Sequence, residues 1–161
     1  MKKILVLLLV IMMVLMAGCA EKEPEPGDDL TEEQKNMVKV TYDMKMKIGD
    51  TEVSVDWEKN PAVDALAELT AGKWYEIPMS MYGGFEQVGA IGTELPAEDS
   101  ETVTEAGDIV LYSGDQIVVF YGSNSWAYTR LGHIRGKSAE DMAELLGNGD
   151  VTISLMTEFS E

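Results

Sequence analysis

The chain has 161 residues, with 12 Lys+Arg against 29 Asp+Glu, a formal charge of −17, one cysteine and one histidine. Phosphate backbones are bound by clustered cations, so no nucleic acid is expected as a partner. A lone cysteine excludes an internal disulfide and a Cys-rich metal site, and a lone histidine leaves little for a His-based zinc site, so no cofactor and no metal are expected.

Met1-Lys2-Lys3 is a short positive start, and Ile4 to Met16 is an unbroken apolar run, the length of a signal-peptide core and too short to span a bilayer of about 30 Å. It ends in Leu15-Met16-Ala17-Gly18-Cys19, which resembles the lipobox cut by lipoprotein signal peptidase, with Met16 where leucine is commoner. Residues 1–18 therefore read as a lipoprotein signal peptide. The resemblance implies that Cys19 is acylated, that the mature chain is extracytoplasmic, and that its first partner is membrane lipid. Two acyl chains hold stably where one does not, each buried CH₂ contributing about 0.8 kcal/mol. Residues 19–36, rich in Glu, Pro and Asp, lack the apolar surface to fold and are expected to form a solvated spacer.

A single domain is expected over 37–161. Val38, Val40, Tyr42, Met44, Met46 and Ile48 alternate with polar residues, the period of a strand with one buried face. Gly49-Asp50 turns the chain into a partner strand carrying Val53, Val55 and Trp57. Asn60-Pro61 opens a helix that stops at Gly72, and Ser138 with Asp141 has capping-box spacing ahead of a second helix stopped by Gly147. Six more strands are expected near 73–81, 86–91, 108–112, 116–121, 128–134 and 151–156, with Ser113-Gly114-Asp115 as a turn and 92–107 as a long surface loop. Met44, Met46, Met79 and Met81 read as core fillers. The fold class is mainly β: a closed eight-stranded β-barrel with two short capping α-helices.

Met81 to Gly89 (MYGGFEQVG), Ala106 to Tyr112 (AGDIVLY) and Phe120 to Ile134 (FYGSNSWAYTRLGHI) together resemble the cyclophilin-like domain of small bacterial and archaeal proteins. The resemblance runs from about Lys39 to Met156 and implies a barrel related to peptidyl-prolyl isomerases, in a family whose members mostly have no assigned activity. Isomerases of this fold carry a Phe-x-His-Arg-type strand whose arginine polarises the prolyl amide; here that motif is absent, and the arginines are Arg130 and Arg135.

Two segments join groups suited to holding a ligand. Ser123, Asn124, Trp126 and Tyr128 combine hydroxyls, an amide and aromatic rings, although the same residues suit a hairpin loop packed on a barrel end. Tyr82, Phe85 and Glu86 flank Gly83-Gly84, where the backbone can approach a partner or bend a strand. Arg130 is either an anchor for a ligand carboxylate or carbonyl, or a partner for a carboxylate of the protein. Strict alternation puts Arg130 and His133 on opposite faces of one strand, so they converge on one point only if a bulge intervenes. The expected function is a membrane-anchored binding module for a peptide or small molecule at the barrel mouth, leaning against an enzyme; the alternative is weak peptidyl-prolyl isomerisation with Arg130 supplying the missing arginine.

Overall fold

A computed structural model describes residues 41–160. The signal segment, Cys19, the acidic spacer and the start of the first strand, Val38 and Val40, lie outside the described residues.

The elements are β1 (Thr41–Ile48), β2 (Thr51–Val53), β3 (Val55–Trp57), α1 (Pro61–Leu69), β4 (Tyr75–Tyr82), β5 (Glu86–Ala90), β6 (Ser100–Val103), β7 (Asp108–Tyr112), β8 (Gln116–Phe120), β9 (Ser125–Ile134), α2 (Ala139–Leu146) and β10 (Val151–Ser160). The sheet order is β2-β1-β10-β4-β5-β8-β7-β9-β3, with β6 also paired to β9. All these pairings are antiparallel. The two ends of this path, β2 and β3, are separated only by Ser54. One strand broken at that residue thus pairs with β1 on one side and β9 on the other, and it nearly closes the barrel. The break is stitched by the Arg135 N–H, which donates to the Ser54 carbonyl at 2.8 Å.

The eight expected strands are all present, and two differences make ten segments. The second strand is divided at Ser54, where one strand must serve two partners. The expected loop 92–107 contains β6, whose register sets Thr102 opposite Trp126. Thr102 and Thr104 are buried where an apolar residue would have announced a strand. The β-branched run Thr102-Val103-Thr104 was the available signal.

The barrel interior is apolar and continuous. Met44, Met46 and Ile48 of β1, Ile77 and Met79 of β4, Ile109 and Leu111 of β7, Ile117 and Val119 of β8, and Ile153 and Leu155 of β10 all belong to one cluster. Val63, Leu66 and Ala67 of α1 and Met142 and Leu146 of α2 complete it. Met81, expected among the core fillers, is exposed at the end of β4.

Both helices begin as their caps dictate. The Asn60 side chain accepts from the Val63 N–H at 3.0 Å, Pro61 takes the first turn, and Asn60 Nδ2 also donates to the Arg130 carbonyl at 2.8 Å. Ser138 and Asp141 form a reciprocal capping box. α1 ends at Leu69 with Thr70 as C-cap, three residues ahead of the expected stop at Gly72, and the Thr70 hydroxyl meets Thr157 Oγ1 at 2.7 Å, which ties the helix end to β10.

Candidate functional site

Residues along β5, β7, β8 and β9 alternate between the interior and the outer face of the sheet. Ile117 and Val119 point inward, so Gln116, Val118 and Phe120 point outward; Val110 and Tyr112 do the same on β7, and Glu86 and Val88 on β5. The register brings these outward residues side by side: Glu86 opposite Phe120, Val88 opposite Val118, Val110 opposite Val118 and Tyr112 opposite Gln116. Val110, Val118, Phe120 and Tyr128 form a second buried cluster, separate from the barrel interior, with Phe85, Val88 and Tyr112 packed against it. Tyr128 is gripped edge-on by Tyr112 and Phe120, with ring centroids at 6.0 and 5.8 Å.

A pocket of about 440 Å³ opens on this outer face, lined by Tyr82, Glu86, Val88, Tyr112, Gln116, Val118, Asn124, Trp126 and Tyr128. The volume lies in the range of small-ligand sites. Its place corrects the expectation of a barrel mouth: the lining side chains stand on the outside of the sheet, because the interior is filled by close-packed apolar groups.

Of the residues singled out from sequence, Tyr82, Glu86, Asn124, Trp126 and Tyr128 line the pocket, and Phe85, Ser123 and Arg130 do not. Tyr82 and Glu86 close a hairpin whose loop contains Gly83 and Gly84, both at positive φ. Phe85 stands behind it: its ring lies over Gly83, and its carbonyl accepts from the N–H groups of Tyr121 and Gly122, each at 2.9 Å. Phe85 therefore holds the hairpin against the 121–124 loop. Ser123 is exposed. Asn124 is locked on three sides: its N–H donates to Thr104 Oγ1 at 2.9 Å, its Oδ1 accepts from the Ser125 N–H at 2.8 Å, and its Nδ2 donates to the Tyr128 hydroxyl at 3.0 Å. In that last bond the Tyr128 hydroxyl is the acceptor.

Sequence reading missed Val88, Tyr112, Gln116 and Val118 as lining residues. The signal was present: Ile109-Val110-Leu111-Tyr112 and Ile117-Val118-Val119-Phe120 are unbroken apolar runs, the pattern of strands covered on both faces.

Glu86 is the unusual member of the pocket. It is only 6% exposed, its Oε2 is buried with no hydrogen-bond partner, and among the described residues it has no salt-bridge partner. Burial pushes its carboxyl above the ordinary range. Burial likewise raises the Tyr128 phenol, the Glu86 charge adding to the effect and the Asn124 hydrogen bond opposing it.

Arg130 and His133 do converge, against the expectation from strict alternation. β9 shifts register against β7 between Ile109 and Val110: Gly132 lies opposite Ile109 and Arg130 opposite Val110, leaving Leu131 as an extra residue. This bulge resets the phase so that Arg130 and His133, three apart, share one face. Both reach Asp108, Arg130 Nη1 at 3.2 Å from Oδ2 and His133 Nδ1 at 2.8 Å from Oδ1. Arg130 Nη2 also donates to the Val103 carbonyl at 3.2 Å. Glu105, Asp108 and His133 offer ligand atoms within 4.8 Å of one another, the one grouping among the described residues able to gather around a metal ion. Asp108 is already engaged there by Arg130 and by the Glu105 N–H.

The sequence model of the cyclophilin-like family matches residues 46–156, most of the chain. The chain belongs to the cyclophilin-like family. The match covers β2 to β9, both helices, the end of β1, the start of β10 and all the pocket-lining residues of the cyclophilin-like domain. Comparison with curated proteins gives no match.

Proposed function

We propose that the chain matures as a lipoprotein, held at an extracytoplasmic membrane face through acylated Cys19, and that its cyclophilin-like domain is a binding module rather than an enzyme. The pocket on the outer face of β5-β8-β7-β9 takes a peptide segment or a small molecule. The observation that carries this reading is the pocket's composition: four aromatic rings and two valines around Glu86, Gln116 and Asn124, with no arginine or histidine in the lining. Ligand sites combine a largely apolar wall with a few fixed polar groups in this way. Isomerisation would require an arginine at the bound amide, and Arg130 is held by Asp108 and the Val103 carbonyl.

The test is a screen of peptides and small molecules against the full chain in nonionic detergent, read by isothermal titration calorimetry and repeated on Asn124→Ala and Trp126→Ala. Both variants are expected to lose at least about tenfold in affinity for the ligands found, equivalent to 1.4 kcal/mol. Ligands that bind both variants as tightly as the parent chain would place the site elsewhere.

A further inference from the structure

The geometry points to the class of ligand this pocket takes: a compact organic ammonium ion, held by the Glu86 carboxylate within the rings of Tyr82, Tyr112, Trp126 and Tyr128. The inference rests on the reading of the pocket as a binding site and adds the charge of what binds.

Three observations converge on it. First, Glu86 is a carboxylate 94% removed from solvent that has no donor among the described residues, with Oε2 wholly buried. A buried charge is ordinarily paired, because an unpaired one loses hydration without replacement. The other buried acid among the described residues, Asp108, follows that rule with an arginine, a histidine and a backbone N–H. Glu86 lacks its counter-ion, and it lacks it at the wall of a cavity.

Second, the remaining walls are those a cation prefers. Aromatic faces attract ammonium groups through the ring quadrupole, and several rings around one centre form the cage by which alkylammonium groups are recognised. Four of the nine lining residues are tyrosine or tryptophan, and no lysine, arginine or histidine among them competes for the position. Elsewhere on the same domain an ammonium already seeks this kind of partner: Lys47 Nζ stands 4.2 Å from the centre of the Trp74 ring. Third, the chain carries a formal charge of −17, a field that draws cations and repels anions. The polar edge supplied by Asn124 and Gln116 leaves room for the amide or hydroxyl groups beside the ammonium.

An alkylammonium reaches such a site either on a lysine side chain of a peptide or on a free amine, and the two are separable. Full-length chain in nonionic detergent is titrated with four probes followed by tryptophan fluorescence and by chemical-shift changes. The peptide pair is acetyl-Gly-Lys-Gly-amide and the same peptide with its lysine Nε acetylated. The small-molecule pair is choline and 3,3-dimethylbutanol, which has the same shape without the charge.

The expected result is that at least one cation binds tenfold or more tightly than its neutral counterpart, that Glu86→Gln removes this preference, and that Trp126→Ala weakens it. The arm with the tighter cation identifies the source as peptide or free amine. Affinity for the cation also rises with pH as Glu86 ionises, while the neutral probes stay flat. The other titratable groups facing Glu86 across the pocket are the phenols of Tyr82, Tyr112 and Tyr128.

Equal binding of charged and neutral probes, unchanged in Glu86→Gln, would overturn the assignment of charge and leave the pocket as an apolar binding site. Cation binding that survives both Glu86→Gln and Trp126→Ala would overturn the pocket as the site. Absence of binding by either cation at millimolar concentration would overturn the ammonium assignment, whereas the pocket would stand if other ligands from the wider screen bind it.

Discussion

Glu86 stabilises nothing that can be seen in the fold. Its Oε2 is buried without a hydrogen-bond partner among the described residues, and a buried polar atom left so costs roughly 1–3 kcal/mol. Because burial raises its folded-state pKa, the sign of the pH effect follows: below the ordinary glutamate value of 4.5 the acid is protonated in both folded and unfolded chains, and nothing is lost. As pH rises from that value toward the raised one, the unfolded chain ionises while the folded chain stays protonated, so stability falls, and the loss levels off once both are ionised. Glu86→Gln is therefore expected to be more stable than the parent by about 1 kcal/mol at pH 8, the advantage vanishing in weak acid. Urea denaturation at both pH values measures it. Equal stability of the two proteins at pH 8 would mean that Glu86 has a partner after all. Asp108 is the contrast: even less accessible, it is engaged by Arg130, His133 and the Glu105 N–H, and so helps to hold the β7–β9 seam.

At the level of elements, the same alternation that shapes each strand also lays out both the core and the site. Where it is interrupted, the interruption has a consequence. The extra residue Leu131 turns Arg130 and His133 to one side and gives Asp108 its partners. Gly132 permits the bulge to lie close to β3, since a Cβ there would stand 2.7 Å from the Asp56 carbonyl oxygen. On the interior face of β5, Gln87 donates through Nε2 to the carbonyls of Leu146 and Gly149 at 2.6 and 2.7 Å. These include a carbonyl from the unsatisfied last turn of α2. Gln87→Leu should therefore cost about 2 kcal/mol, and hydrogen exchange should accelerate first in α2 and the 147–150 segment. Unchanged protection in α2 would show that the helix end is held by packing alone. The helix caps were readable in sequence because they are local: Asn60-Pro61 and Ser138 with Asp141 act within one turn. β6 was not, because its pairing is with β9, more than twenty residues on, and the buried positions in and just after it are Thr102 and Thr104, which donate to the carbonyls of Ser100 and Asn124.

On the scale of the whole molecule, the domain carries its pocket on the outer face of a barrel whose interior is full. The proposal of a lipid anchor concerns residues outside the described part of the chain and is tested there. Cys19→Ser in the full-length chain is expected to abolish incorporation of a labelled fatty acid and to move the protein from the membrane to the soluble fraction. A variant that still sediments with membranes and still takes up label would remove Cys19 as the attachment point. Among the described residues no helix is long and apolar enough to cross a membrane, so within them an anchor by a spanning helix is not available.

The sequence by itself determined the class of the fold and the positions of its caps and turns, because alternation, capping and turn residues act over a few neighbours. It also marked five of the nine pocket residues, since Tyr82, Glu86, Asn124, Trp126 and Tyr128 lie in two short segments of mixed chemistry. Only the tertiary structure decided which face those segments share, because strand register joins residues far apart in the chain. A single bulge at Leu131 decided the pairing of Arg130 and His133, for it shifts every later side chain by one. Long-range pairing likewise left Glu86 without a partner at the wall of an aromatic pocket: whether a carboxylate is paired depends on what folding brings beside it, and no local pattern records that.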